Sequence, residues 1–141
     1  MKTSQILTTT TAIALMTLIG CSKYPDGPML SVRGKTERVA NDWRVGEAID
    51  NEKDVTDQYH RYEYNMTKDG KVTLTAEYTI LGIDYNVVTE GVWAFLNNNE
   101  KISFDYEDEN QNRDYVILKL EEKEMWLLED NGTLELHLIP R

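Results

Sequence analysis

The chain has 141 residues, a formal net charge of −10 and a hydrophobic fraction of 40%. That length supports one domain, or one domain plus a processed leader, and excludes two independent cores, while a single cysteine excludes an internal disulfide framework and a multi-cysteine zinc site. The excess of 25 acidic over 15 basic side chains repels phosphate backbones and argues against nucleic acid as a partner, and no run reaches the ~20 apolar residues of a spanning helix.

Residues 1–20 differ in kind from the rest. Lys2 is their only charge, and Ile6 to Gly20 is apolar or threonine. A positive start, a short apolar stretch and a small residue at the end read as a secretory signal peptide. The following Leu18-Ile19-Gly20-Cys21 resembles the lipobox of bacterial lipoproteins. That resemblance implies cleavage before Cys21, a diacylglycerol on its thiol, and acylation of the new amine by a chain such as palmitate. Two or three chains anchor stably at ~0.8 kcal/mol per buried methylene, where one does not. Ser22, in place of Asp, resembles the sorting position of outer-membrane lipoproteins. The expected location is therefore the cell envelope, anchored in the outer membrane and facing the periplasm.

Residues 21–30 contain Pro25, Gly27 and Pro28, which forbid helix and sheet, so they read as a flexible tether. Ser31 to Asn41 is expected to form a short helix, with Ser31 as its N-cap and Gly34 as a weak point. From Trp43 onward the period changes to two. Tyr62, Tyr64 and Met66, then Val72, Leu74, Ala76 and Tyr78, then Ile102, Phe104 and Tyr106, and finally Leu134, Leu136 and Leu138 each alternate with polar residues. This is the mark of antiparallel strands with one wet and one buried face. Lys68-Asp69-Gly70, Asn97-Asn98-Asn99 and Asp130-Asn131-Gly132 supply the turn residues between them.

The pattern predicts strands at 43–50, 59–67, 71–79, 86–96, 101–108, 114–120, 124–129 and 133–139. Consecutive short turns favour a small eight-stranded up-and-down barrel over residues 31–141, preceded by the short helix, because closure removes the exposed strand edges.

A second resemblance supports that fold. Val39-Ala40-Asn41-Asp42-Trp43 resembles the Gly-x-Trp opening of lipocalins, and Glu90-Gly91-Val92-Trp93-Ala94-Phe95 resembles the mid-chain Gly-x-Trp strand of lipocalin-like bacterial lipoproteins. The segments Ile117 to Leu127 and Glu135 to Pro140 are similar to the last strands of that family. Asn41 stands where the pattern has Gly, and Asn is the next most tolerant residue of left-handed backbone.

Catalytic chemistry finds little support. Ser31 and Ser103 lie in no nucleophile elbow, and His60 and His137 have no second ligand at metal-site spacing. No enzymatic activity, cofactor or metal is expected. The acidic stretch Asp105 to Asp114 lacks the order of a calcium loop and reads as a solvated hairpin loop. His137 shares parity with Glu135 and is expected in solvent, whereas His60 shares parity with Tyr62 and Tyr64 and is expected inside. Trp126 and Leu128 alternate against Met125 and Leu127, so one pair faces outward.

The remaining signal is aromatic. Trp43, Tyr62, Tyr64, Tyr78, Trp93, Phe104 and Tyr106 fall on faces that can line one interior, and if a lumen exists the tyrosine hydroxyls with His60 are its polar handles. A barrel of eight strands is filled by its own side chains or holds one small ligand. Filling is the base-rate expectation, and a ligand lumen is what the resemblance implies. Two functions follow: a non-catalytic module that binds a small apolar ligand or peptide, or an accessory envelope protein with a filled barrel that docks a protein partner.

Overall fold

The structure, a computed structural model, describes residues 33–141. The leader 1–20, Cys21, the tether 21–30 and the expected N-cap Ser31 lie outside the described residues. The elements are α1 (Lys35–Val39), β1 (Asp42–Asp50), β2 (Lys53–Asp54), α2 (Thr56–Tyr59), β3 (Tyr62–Met66), β4 (Lys71–Ile80), β5 (Ile83–Leu96), β6 (Lys101–Tyr106), β7 (Arg113–Leu120), β8 (Met125–Glu129) and β9 (Leu134–Pro140). Every pairing is antiparallel, and from β3 to β9 each strand lies beside the next. The last strand returns to the first, with Trp43 opposite Pro140 and Asp50 opposite Leu134. Eight strands thus close an up-and-down barrel. The two-residue β2 only continues the pairing of β1 beyond β3.

Inward side chains come from every second position, as the alternation requires. The buried set includes Tyr64 and Met66; Val72, Leu74 and Ala76; Ile102, Phe104 and Tyr106; Met125 and Leu127; and Leu136 and Leu138. Two bulges reset the count. Gly46 is the extra residue between Val45 and Glu47, so that Val45 and Ala48 both point inward, and a similar shift between Ile117 and Lys119 returns Leu120 to the core.

Turn chemistry follows the residue types. Asn97, Asn98, Asn99, Asn131 and Gly70 all take positive φ, where a side chain is tolerated best on Asn and absent on Gly. Asn41 does not take that conformation. It serves instead through its side-chain oxygen, which accepts the Asp42 amide at 2.9 Å, and its carbonyl, which accepts the Met66 amide at 3.0 Å.

Three local expectations need correction. The helix is shorter than 31–41 and begins after Gly34, whose extended backbone is its N-cap. Residues 59–61 are not strand, because Thr56–Tyr59 forms a helical turn and β3 starts only at Tyr62. The β4–β5 ladder is longer than 71–79 and 86–96, running to Ile80 opposite Ile83 around Leu81 and Gly82. Leu81 takes φ 51° there, and a leucine gives no turn signal in sequence.

One end of the barrel is closed. The Trp43 indole donates to the Val39 carbonyl at 2.8 Å, and Arg38 Nη1 donates to the Leu120 carbonyl at 2.7 Å. These contacts draw α1 across the opening, and Val39 and Trp43 are fully buried beneath it. The Trp93 indole donates to the Thr67 carbonyl at 3.0 Å and fills the neighbouring sector.

Gly91 lets β5 and β6 come close. A Cβ built there would overlap the Asp105 carbonyl oxygen and lie 2.7 Å from the Tyr106 Cα. Both obstacles are backbone, so relief requires the strands to part. Gly91→Ala is expected to destabilise the fold by about 1–3 kcal/mol, read as a lower urea midpoint with unchanged slope.

Candidate functional site

The end opposite α1 opens into the barrel. A cavity of about 390 Å³ lies there, lined by Tyr59, Tyr62, Tyr64, Phe104, Tyr106 and Tyr115 over a floor of Leu74 and Leu136. Its rim carries Asp50, Arg113 and Glu129. All three sit at strand ends on the inward parity, so the alternation that fills the closed end with hydrocarbon delivers charge at the open one. Tyr59 enters differently, swung inward by the α2 turn, and its ring meets that of Tyr62 at 5.0 Å.

The rings pack on one another. Phe104 lies 5.9 Å from Tyr64, 6.1 Å from Tyr106 and 5.8 Å from Tyr115 between centroids, distances typical of favourable aromatic pairs. The Tyr106 hydroxyl is buried and has no hydrogen-bond partner among the described residues. Arg113 Nε meets Glu129 Oε1 at 3.1 Å, and Asp50 Oδ1 accepts from the Thr133 hydroxyl at 2.6 Å.

Burial holds these phenols neutral. It pushes the Tyr64 hydroxyl well above its ordinary range, with neighbouring phenols adding to the effect, and it likewise raises Tyr106 and Tyr115. Tyr59 is raised by burial first and then by the negative charge of Asp50 and Glu129, against a smaller opposing effect of Arg113.

The structure gathers some of the expected site residues and disperses others. Tyr62 and Tyr64 line the cavity. Trp43 and Trp93 are buried at the closed end, where each indole is held by a backbone carbonyl. Tyr78 lies beyond the rim and stacks on Tyr85 at 5.6 Å. His60 is a correction: it is exposed, with Nδ1 2.7 Å from the Asp57 carbonyl and Nε2 accepting from Arg61 Nε. The period of two does not extend through the α2 turn, so parity with Tyr62 does not place it.

His137 is corrected in the other sense. It faces outward, yet its ring stacks on Trp126 at 4.1 Å, and its nitrogens lie 2.7 Å from Glu47 and 2.7 Å from Glu135. Lys119 covers the same indole at 4.9 Å, so the outward Trp126 is largely masked by its neighbours. In the acidic loop, Asp108 accepts from the Asn110 amide and Asp105 from the Asn112 side chain. Among the described residues no group of three or more His, Cys, Asp or Glu is placed to hold a metal ion.

Tyr59, Tyr115, Asp50, Arg113 and Glu129 were not legible as site residues. Tyr115 and Arg113 share the inward parity of β7, which was a usable signal, whereas nothing in the sequence marks the turn that brings Tyr59 in.

Comparison with solved structures shows the fold. The chain is similar to a lipocalin-like protein from Bacteroides uniformis, with 12% identity, a TM-score of 0.54, and coverage of 74% of this chain and 99% of that one. No protein-family model matches the sequence, and no curated protein matches it. The barrel is therefore lipocalin-like in architecture.

Two outcomes follow from the phenols. Tyr106→Phe removes a buried, unpartnered hydroxyl, so the ligand-free protein is expected to keep its stability or gain about 1 kcal/mol, measured by urea denaturation. Because Tyr64, Tyr106 and Tyr115 ionise less readily folded than at the ordinary value of 10.0, the unfolded chain loses those protons first. Their contribution is fully present below pH 10.0 and declines as pH rises above it. Denaturation midpoints should fall above that pH, with phenolate absorbance from these three rings appearing together with unfolding.

Proposed function

We propose that this protein is a lipid-anchored lipoprotein of the cell envelope, facing the periplasm from the outer membrane. Its barrel is a non-catalytic module that takes a small, largely apolar ligand through the tyrosine-lined mouth. The observation that carries the reading is the open aromatic cavity with the buried Tyr106 hydroxyl inside it. A buried hydroxyl without a partner costs free energy, and a ligand with one polar group among apolar walls relieves it. The volume of about 390 Å³ falls at the small end of the range for ligand sites.

The β4–β5 ladder extends the wall. Tyr78 opposite Tyr85 and Ile80 opposite Ile83 share the face that continues the lumen, while Glu77, Thr79, Asp84 and Asn86 occupy the other. Past the pairing of Tyr62 with Ala76 this hairpin has no neighbour in β3, so it stands roughly 10 Å beyond the rim.

A docking role has one observation in its favour: Val88, Val92 and Leu96 are exposed on the outward face of β5, with Glu90 and Ala94 between them. Titration with the neutral fluorophore N-phenyl-1-naphthylamine separates the readings. Saturable binding at one site, weakened more than tenfold in Leu134→Trp, is the expected result. No saturable binding by the wild-type protein would turn the assignment toward docking. The anchor has its own check. Intact mass of protein extracted from membranes should show the cysteine diacylated, and Cys21→Ser should release the chain into the soluble fraction.

A further inference from the structure

We propose that the ligand is an organic ammonium: an apolar or aromatic small molecule bearing one protonated nitrogen with hydrogens to donate. This deepens the binding reading of the same cavity and rests on it. Six rings, those of Tyr59, Tyr62, Tyr64, Phe104, Tyr106 and Tyr115, face one volume. Aromatic faces attract cations through their quadrupoles, most strongly when water is excluded. A neutral phenol adds an oxygen lone pair that accepts an N–H. Tyr106 is the sharpest instance, because it is only 4% exposed and its hydroxyl has no partner among the described residues. A pure hydrocarbon would leave that hydroxyl unsatisfied, whereas an ammonium satisfies it.

Charge decides the sign of the polar group. Of the three charged residues on the rim, Arg113 and Glu129 neutralise each other at 3.1 Å. Asp50 is left over. Its carboxylate is steadied by the Thr133 hydroxyl and the Asn51 amide, and it has no ion-pair partner among the described residues. The loops around the mouth reinforce it: Glu52, Asp54 and Asp57 follow β1, and Glu107, Asp108 and Glu109 follow β6, whereas Asp130 after β8 is paired with Lys101 at 2.7 Å. Lys53 and Arg61 offset only part of this, while Lys68, Lys71, Lys119, Lys123 and Arg141 lie toward the closed end. A mouth with a net excess of one sign of charge concentrates counter-ions and repels its own sign. A carboxylate ligand therefore meets net repulsion on entry, and the only cation lining the cavity, Arg113, is already paired with Glu129. A neutral ligand gains nothing from Asp50.

Calorimetric titration of the full chain with three molecules of one shape provides the test: 4-phenylbutylamine, 4-phenylbutan-1-ol and 4-phenylbutanoate, at neutral pH and low salt. The amine should bind at least tenfold more tightly than the alcohol, and the carboxylate at least tenfold more weakly than the alcohol. Added salt should weaken the amine and leave the alcohol unchanged. Asp50→Asn should erase the preference for the amine while preserving affinity for the alcohol, which also shows that the variant is folded. Tyr106→Phe should weaken amine and alcohol together by several-fold. Equal or tighter binding of the carboxylate overturns the ammonium assignment and leaves the lumen reading intact. Amine binding that survives in Leu134→Trp places the amine elsewhere and also overturns it. Failure of all three molecules overturns it as well, while the naphthylamine titration decides the lumen reading separately.

Discussion

Trp43 is the contact on which the rest of the structure depends. Its indole donates to the Val39 carbonyl, its backbone sits between Tyr64 of β3 and Pro140 of β9, and its side chain is fully buried. One residue therefore joins the capping helix, both neighbouring strands and the apolar floor. A large aromatic with one polar atom suits this position, because burial of the ring contributes most of the gain and the N–H still finds an acceptor. With that end sealed, the opposite end is free to be imperfectly packed.

The barrel interior is consequently graded along its axis. Near Trp43 the inward positions are Val39, Met125 and Leu138, all fully buried. Midway stand Leu74, Phe104 and Leu136, and toward the mouth come phenols and then charge. Nothing in the strand pattern changes along this path. Only the residue type at each second position does, so the same backbone rule supplies hydrocarbon packing at one end and a phenol-lined, charged mouth at the other.

The alternation of Tyr62 to Met66, Val72 to Tyr78 and Ile102 to Tyr106 made strands, parity and barrel legible from sequence, and Gly70, Asn97 to Asn99 and Asn131 marked their turns. Legibility failed where the period was interrupted. The α2 turn put Tyr59 inside and His60 outside, the reverse of what parity implies. Leu81 hid a tight turn because a leucine at positive φ is rare. The site was half-legible for a different reason. Alternation says which side chains face inward, but whether they meet in the middle depends on barrel radius and on how far along the axis each strand is shifted, and these are three-dimensional quantities. Trp43 and Trp93 therefore share the inward sense of Tyr64 without sharing its cavity.

The register of β1 against β9 bears on how the molecule comes into being. Asp50 pairs with Leu134 and Trp43 with Pro140, so the ring is sealed by two strands that lie far apart in the sequence. Until they meet, the chain is a ribbon with two open borders, and contacts this distant in sequence form slowly. The lumen therefore exists only once β9 has met β1, and every species that precedes that pairing lacks an inside.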